Sequence, residues 1–295
     1  MSVKYLAGAA FAMMLAALPA AADPNWADIG QALGKPGSEM PGGVYRIALP
    51  RTDLKVTLDG VQIKPALALG SWLAFKAMGN DAMVMGDLVL THDEVNPVMK
   101  RLVEGGLEIT ALHNHLLRSE PATMYMHVGG HGDPVKMAQT LHAALALSKT
   151  PFEQPALPPA AAAALDLDTA SVDKAMGYSG KANGGVYQFS IPRAETLMDG
   201  TMAIPVAMGT ALAINFQPTG GGKAAITGDL VLTASEVNPA VRALREHGID
   251  VTALHNHMLD DQPRLFFMHF WANDDAVKLA QGMRAALDKM NLTKS

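Results

Sequence analysis

Apolar and polar positions alternate with a period of two along Val44 to Leu49, Ser71 to Ala77 and Met83 to Leu90, which predicts strands with one face toward a core. Lys55 to Ile63 reads as a further strand. Between these runs the period changes. Trp26 to Leu33, Glu94 to Glu104 and Pro134 to Leu147 place apolar side chains three and four apart, the spacing of a helix face. Thr91 with Glu94 has the spacing of a capping box, and Asp133 stands where an N-cap belongs. A β-prone pair of segments, Thr110 to His115 and Thr123 to Val128, is joined by residues with loop chemistry.

The same succession returns 142 residues later. Gly43-Val44-Tyr45 through Pro50-Arg51 matches Gly185-Val186-Tyr187 through Pro192-Arg193, and Gly86 to Thr91 matches Gly228 to Thr233. Glu94 to Pro97 likewise matches Glu236 to Pro239, and a helix over Ala170 to Met176 answers the first one. About half the positions from Gly86 to Val128 are identical to their counterparts, so the chain is a tandem duplication. The expected organisation is a leader over 1–22, a first repeat over 23–150, a linker rich in proline and alanine over 151–165, and a second repeat over 166–295. The predicted class is α+β. Each copy has a split β-α-β-β-α core of ferredoxin-like type, preceded by extra antiparallel strands and with one sheet face left open by the helices. Those extra strands, or the sheet of the other copy, are expected to cover that face and enclose a chamber.

The histidines follow the duplication. Ala111-Leu112-His113-Asn114-His115 with Met126-His127 recurs as Ala253-Leu254-His255-Asn256-His257 with Met268-His269, so six of the ten histidines form two equivalent trios. On a strand, residues two apart project from one face. If His113 lies opposite His127 in a hairpin, then His113, His115, Tyr125 and His127 share a face, and Leu112, Asn114, Leu116, Met124, Met126 and Val128 make up the core-facing side.

Composition narrows the chemistry. Met1 to Ala22 carries Lys4, an apolar run from Leu6 to Leu18 and Pro19-Ala20-Ala21-Ala22, the organisation of a signal peptide cleaved near Ala22. The run falls short of the roughly 20 residues of a spanning helix, so a periplasmic or secreted protein without a membrane span is expected. With no cysteine, disulfides and thiolate metal sites are excluded. A net charge of −5 without basic clusters argues against nucleic acid. A small-molecule or cell-envelope ligand is the partner class left; the oligomeric state is not legible.

Three imidazoles on adjacent strands can hold a divalent metal and leave a position open. His113, His115 and His127 form one such candidate site, and His255, His257 and His269 the other. Zinc is favoured, and copper or nickel also suits imidazole ligands. Metal-bound water would then make a hydrolase or lyase conceivable. The alternatives are a non-catalytic module that binds a small anionic or envelope ligand through its histidines, and a periplasmic copper or nickel carrier. Asp87 and Asp229 stand in both copies without a capping role and are the next candidates, with Glu120 a further carboxylate. Tyr125 aligns with Phe267, so a reactive hydroxyl there would belong to one half only. Asn114 and Asn256, amides on an otherwise apolar face, are expected to hold neighbouring backbone.

Gly86-Asp87-Leu88-Val89-Leu90, Glu94-Val95-Asn96-Pro97, Thr110 to Leu117, Pro121 and Met126-His127, together with their second copies, resemble the LppY/LpqO family of bacterial extracytoplasmic proteins. The resemblance covers nearly all of the chain after the leader and implies export and a duplicated domain. It supplies no catalytic residues. Several relatives are lipoproteins, whereas this chain has no lipobox cysteine.

Overall fold

A computed structural model of the protein describes residues 24–153 and 165–294; the expected leader and most of the expected linker lie outside the described residues. In the first repeat, helix α1 (Trp26–Leu33) precedes strands β1 (Ser38–Met40), β2 (Val44–Pro50), β3 (Thr57–Leu58) and β4 (Val61–Gln62), then the single turn α2 (Pro65–Ala68). Strands β5 (Gly70–Met78) and β6 (Asp81–Thr91), helix α3 (His92–Glu104), strands β7 (Glu108–His113) and β8 (Thr123–Gly132), and helix α4 (Pro134–Leu145) complete it. The second repeat runs α5 (Thr169–Met176), β9 (Lys181–Asn183), β10 (Val186–Ile191), β11 (Met198–Asp199), β12 (Met202–Ala203), a 3-10 turn at Val206–Met208, β13 (Leu212–Gly220) and β14 (Lys223–Thr233). It ends with α6 (Ala234–Glu246), β15 (Asp250–His255), β16 (Asp261–Gln262), β17 (Leu265–Asp275) and α7 (Ala276–Leu287).

Each repeat builds a six-stranded antiparallel sheet. The orders are β1-β2-β5-β6-β8-β7 and, equivalently, β9-β10-β13-β14-β17-β15. Helix starts follow their local chemistry. Both capping boxes form at Thr91 and Thr233, and Asp133 accepts from the amides of Val135 and Lys136. Helices α1, α3 and α4 bury Ile29, Leu33, Val98, Leu102 and Leu141 against one face of the first sheet, on Ile47, Phe75, Leu88 and Met126. The second repeat repeats this arrangement with α5, α6 and α7.

Lys55 to Ile63 is not one strand. Asp59 and Gly60 both adopt positive φ, at 47° and 82°, and fold the segment into the short hairpin β3-β4. Asp-Gly is the dipeptide such a tight turn selects.

The helix-free faces of the two sheets confront each other, and each repeat sends an arm onto the other. From the first repeat, the hairpin and α2 lie over the second sheet. Gln188 Nε2 donates to Ala66 O at 2.7 Å, Asn215 Nδ2 to Leu67 O at 3.1 Å and Gln217 Nε2 to Gln62 O at 2.8 Å. In return, the 3-10 turn of the second repeat receives Arg46, which donates to Ala207 O at 2.6 Å. Of the two expected coverings, the opposing sheet is the one found; the extra strands β1 and β2 join their own sheet, and the arm over each face comes from the other repeat. Because the sheet faces meet, Val44, Ala74 and Met83 of the first repeat belong to the apolar cluster centred on the second. Among the described residues, no helix is long and apolar enough to cross a membrane.

Candidate functional site

The hairpin register differs from the expected one by two residues. Ala111 pairs with His127 and His113 with Tyr125; in the second copy Ala253 pairs with His269 and His255 with Phe267. Because the shift is even, His113 and His127 keep a common face. A bulge at Thr110 and at Thr252 moves the pairing by one residue, and without it His113 would face Met124; it also re-aims both threonine hydroxyls toward the other repeat. Thr110 Oγ1 donates to His257 O at 2.6 Å, and Thr252 Oγ1 to His115 O at 2.6 Å. His115 and His257 lie just beyond the ends of β7 and β15, in turns that the opposite repeat's threonine holds in place. The expected core-facing side is correct for Met126 and Val128, but Leu112 and Leu254 are 40% and 49% exposed, because β7 and β15 are edge strands.

The two trios meet. His113 stacks on His255 with ring centroids 3.4 Å apart, His115 on His269 at 3.6 Å and His127 on His257 at 3.7 Å, each pair joining the two repeats. Within the repeats, His113 lies 5.0 Å from both His115 and His127, and His255 lies 5.0 Å from His257 and 4.8 Å from His269. Six imidazoles thus form one cluster about an approximate two-fold axis. Ligand atoms lie within 4.8 Å of one another in His255/His257/His269, in the mixed sets His113/His115/His269 and His113/His127/His257, and in Asp87/His115/His127.

Hydrogen bonding sets the direction of the lone pairs. His113 Nδ1 lies 3.3 Å from Asn114 O, His255 Nδ1 3.0 Å from Asn256 O and His269 Nδ1 2.6 Å from Gly228 O. A carbonyl can only accept, so these Nδ1 atoms carry the proton and Nε2 carries the lone pair. The Nε2 atoms of all six histidines are buried and have no hydrogen-bond partner. Burial lowers every one of their pKa values, with the neighbouring imidazoles adding to the effect for His113, which falls to about 3; His255 falls to about 4. The cluster is neutral at pH 7.

Asp87 and Asp229 join it. Asp87 is the cross-strand partner of His127, with Oδ1 3.9 Å from Nε2, and Asp229 Oδ2 lies 3.5 Å from His257 Nε2. Burial raises both carboxyls, Asp87 to about 8. A cavity of about 990 Å³ opens between the sheets onto His115, His127, His257, His269 and both aspartates.

The remaining candidates have other placements. Tyr125 stacks on His115 with centroids 3.3 Å apart, as Phe267 does on His257 at 3.5 Å, while its hydroxyl donates to Ala68 O at 2.8 Å. The ring is common to both halves, and the hydroxyl anchors α2. Asn256 Nδ2 donates to Thr110 O and Met258 O, at 3.0 and 3.1 Å, holding the neighbouring repeat's strand; Asn114 makes no such side-chain bond among the described residues. Glu120 is exposed, and its backbone pairs with Thr57 away from the cluster. Sequence reasoning passed over Arg46 and Trp72, whose side chains line the cavity. A cation at an interior position of the alternating run Val44 to Leu49 was the available signal.

A comparison with curated proteins gives no match. Among solved structures, the chain is similar to the trimeric bacterial microcompartment shell protein PduB, at 12% identity and a TM-score of 0.22, over 88% of this chain and 96% of that one. It is also similar to EtuB from Clostridium kluyveri, at 8% identity and a TM-score of 0.19, over 85% and 90%. Superpositions this poor carry no inference about fold or function. The two repeats, by contrast, each match one family model, over residues 27–147 and 170–289. On that evidence the chain belongs to the family described as Domain of Unknown Function (DUF1259), which it contains twice.

Proposed function

We propose that the six-histidine cluster is a divalent-metal centre shared by the two repeats of an exported protein, with zinc the best match to neutral imidazoles and a carboxylate. One observation carries this reading: six buried Nε2 atoms gathered in one cluster, none with a hydrogen-bond partner. Buried polar atoms are nearly always satisfied, so a cluster of orphaned imidazole nitrogens, three of them fixed as acceptors, is accounted for by a cation. The Nδ1 contacts to backbone carbonyls supply the outer shell that orients ligating imidazoles. A cation held there would supply Lewis acidity to a ligand in the adjoining cavity, as a hydrolase or lyase requires. Export is supported by the leader-like Met1 to Ala22 and by the resemblance to the LppY/LpqO proteins, and we read the β6-α3-β7-β8-α4 tail as a ferredoxin-like split unit.

Copper is a second reading with an observation of its own. Met85, Met208 and Met258 line a small cavity against His127 and His257, and thioethers favour the softer metal. Histidines acting as cationic anion binders are disfavoured by the burial that keeps them neutral.

The test is metal content, measured on tag-free protein purified from the periplasm and on the His113→Ala/His255→Ala double variant. Stoichiometric metal in the first and little in the second is expected. Equal trace metal in both would end the proposal.

A further inference from the structure

Arg46 occupies the position of Gln188 in the second repeat. The two side chains do the same structural work: Arg46 donates to Ala207 O and Gln188 to Ala66 O, each clasping the arm sent over by the other repeat. Since a neutral amide suffices for that clasp, the charge of Arg46 exceeds what the fold requires. The surroundings do not neutralise it. Arg51 and Arg193, the fully enclosed arginines, each meet two carboxylates at 3.0 Å or less. Arg46, by contrast, forms no ion pair among the described residues.

Its guanidinium lies over the Trp72 ring, 4.1 Å from the centroid, so its orientation is fixed. Both residues line the large cavity whose wall carries His115, His127, His257 and His269. Of the carboxylates there, Asp87 and Asp229 are turned toward His127 and His257. Burial lowers Arg46 only to about 10, with the Asp87 carboxyl acting in the opposite sense, so it stays cationic. A half-buried guanidinium with spare N–H donors and no carboxylate in direct contact suits a carboxylate or phosphate, which it can grip through two parallel hydrogen bonds.

We propose that Arg46, braced by Trp72, is the anchor for the oxyanion group of a small molecule that enters the inter-repeat cavity and presents the rest of itself to the histidine cluster. This names the ligand class of the proposed metal centre and rests on that reading only for what happens to the ligand once it is held.

The experiment uses the full-length protein, metal-free and zinc-loaded, with inorganic phosphate and malonate as probes in calorimetric titrations. Arg46→Gln copies the second repeat's own clasp, and Arg46→Lys keeps the charge without the planar fork. In wild type at least one anion binds in both metal states; Arg46→Gln weakens that binding at least tenfold with metal content unchanged, and Arg46→Lys falls between. Binding of phosphate alone or of malonate alone distinguishes a phosphorylated from a carboxylated ligand. Arg46-dependent anion binding in a protein that takes up no metal would remove the metal reading and leave this one standing. Equal affinity in Arg46→Gln and wild type, or no anion binding to wild type in either metal state, overturns it.

Discussion

The imidazole of His113 lies flat on that of His255, with 21° between the ring planes, and the two belong to equivalent positions of different repeats. This contact lies on the axis relating the halves, and it makes the cluster indivisible. With two independent sites, altering one repeat would remove half of the protein's metal. Here two of the four sets of converging ligand atoms mix the repeats, both through His113, and His255 packs flat on His113, so His113→Ala alone should remove more than half of the bound metal, and His255→Ala should do the same. Elemental analysis of the two single variants beside wild type checks this. A clean halving in each would mean that the repeats bind separately.

Acid should act on the metal-free protein through the same histidines, and the sign can be worked out. Their folded pKa values lie far below the ordinary 6.5, so below that pH the unfolded chain takes up protons that the fold refuses, and stability falls as pH falls. Asp87 and Asp229 act in the opposite sense. Their folded values are raised from 3.8, Asp87 to about 8, so stability falls as pH rises across that interval. Each proton of difference changes stability by about 1.4 kcal/mol per pH unit. Six histidines outweigh two carboxylates below pH 6.5, and above it only the carboxylates titrate. Urea midpoints at pH 5, 6.5 and 8 should therefore peak at the middle value. Equal midpoints at pH 5 and 6.5 would contradict a neutral, buried cluster.

Much of this arrangement was legible in the residues, and the parts that were not share a cause. Strand parity put His113 and His127 on one face because a period of two tolerates an even error in register. The bulges at Thr110 and Thr252, which move the pairing by one residue and so bring His113 and His255 onto that face, are marked by no hydropathy pattern. The repeat offset predicted two equivalent trios, yet equivalence in sequence is silent about whether two copies stand apart or face each other. What joins them is the exchange of arms, carried by backbone carbonyls such as Leu67 O and Ala207 O, and a carbonyl leaves no trace in a sequence. The Asp59-Gly60 turn, which splits the expected strand, was a readable signal masked by apolar neighbours.

Arg51 and Glu94 form a bond that the capping-box motif did not announce. Glu94 caps α3 through the Thr91 amide at 2.9 Å, and it also accepts from the wholly buried Arg51 at 2.8 and 3.1 Å, with Asp53 on the guanidinium's other edge. Burial would raise the Glu94 pKa, but the hydrogen bonds from Arg51 and from the Thr91 and Lys149 amides, with the Arg51 charge, together outweigh it and the net shift is downward. Removing one partner leaves a buried charge, so Arg51→Ala should cost about 3–5 kcal/mol in urea unfolding. Thr91→Ala loses only a cap, about 1 kcal/mol. Metal content of the folded fraction should not change in either variant. A loss for Arg51→Ala no larger than that for Thr91→Ala would mean that the ion pair contributes little.

Gly228 precedes Asp229 for a steric reason, and the same residue touches the cluster through its carbonyl. A Cβ there would stand 1.9 Å from Ala213 O, a backbone atom of β13 that cannot step aside, while Gly228 O accepts the Nδ1 proton of His269. At the equivalent Gly86, the nearest atom to an added Cβ is Leu73 Cδ2 at 2.6 Å, a flexible side-chain end, with Trp72 O next at 2.9 Å. Overpacking of this kind costs roughly 1–3 kcal/mol when neighbours can shift and more when they cannot. Gly228→Ala should accordingly destabilise the protein more than Gly86→Ala, in thermal or urea unfolding of the metal-free chain. Pushing β14 away from β13 would also displace the acceptor that fixes His269, so Gly228→Ala should lower metal content while it is still folded. The reverse ranking, or full metal content in a folded Gly228→Ala, would show that the strand approach and the His269 contact do not govern the site.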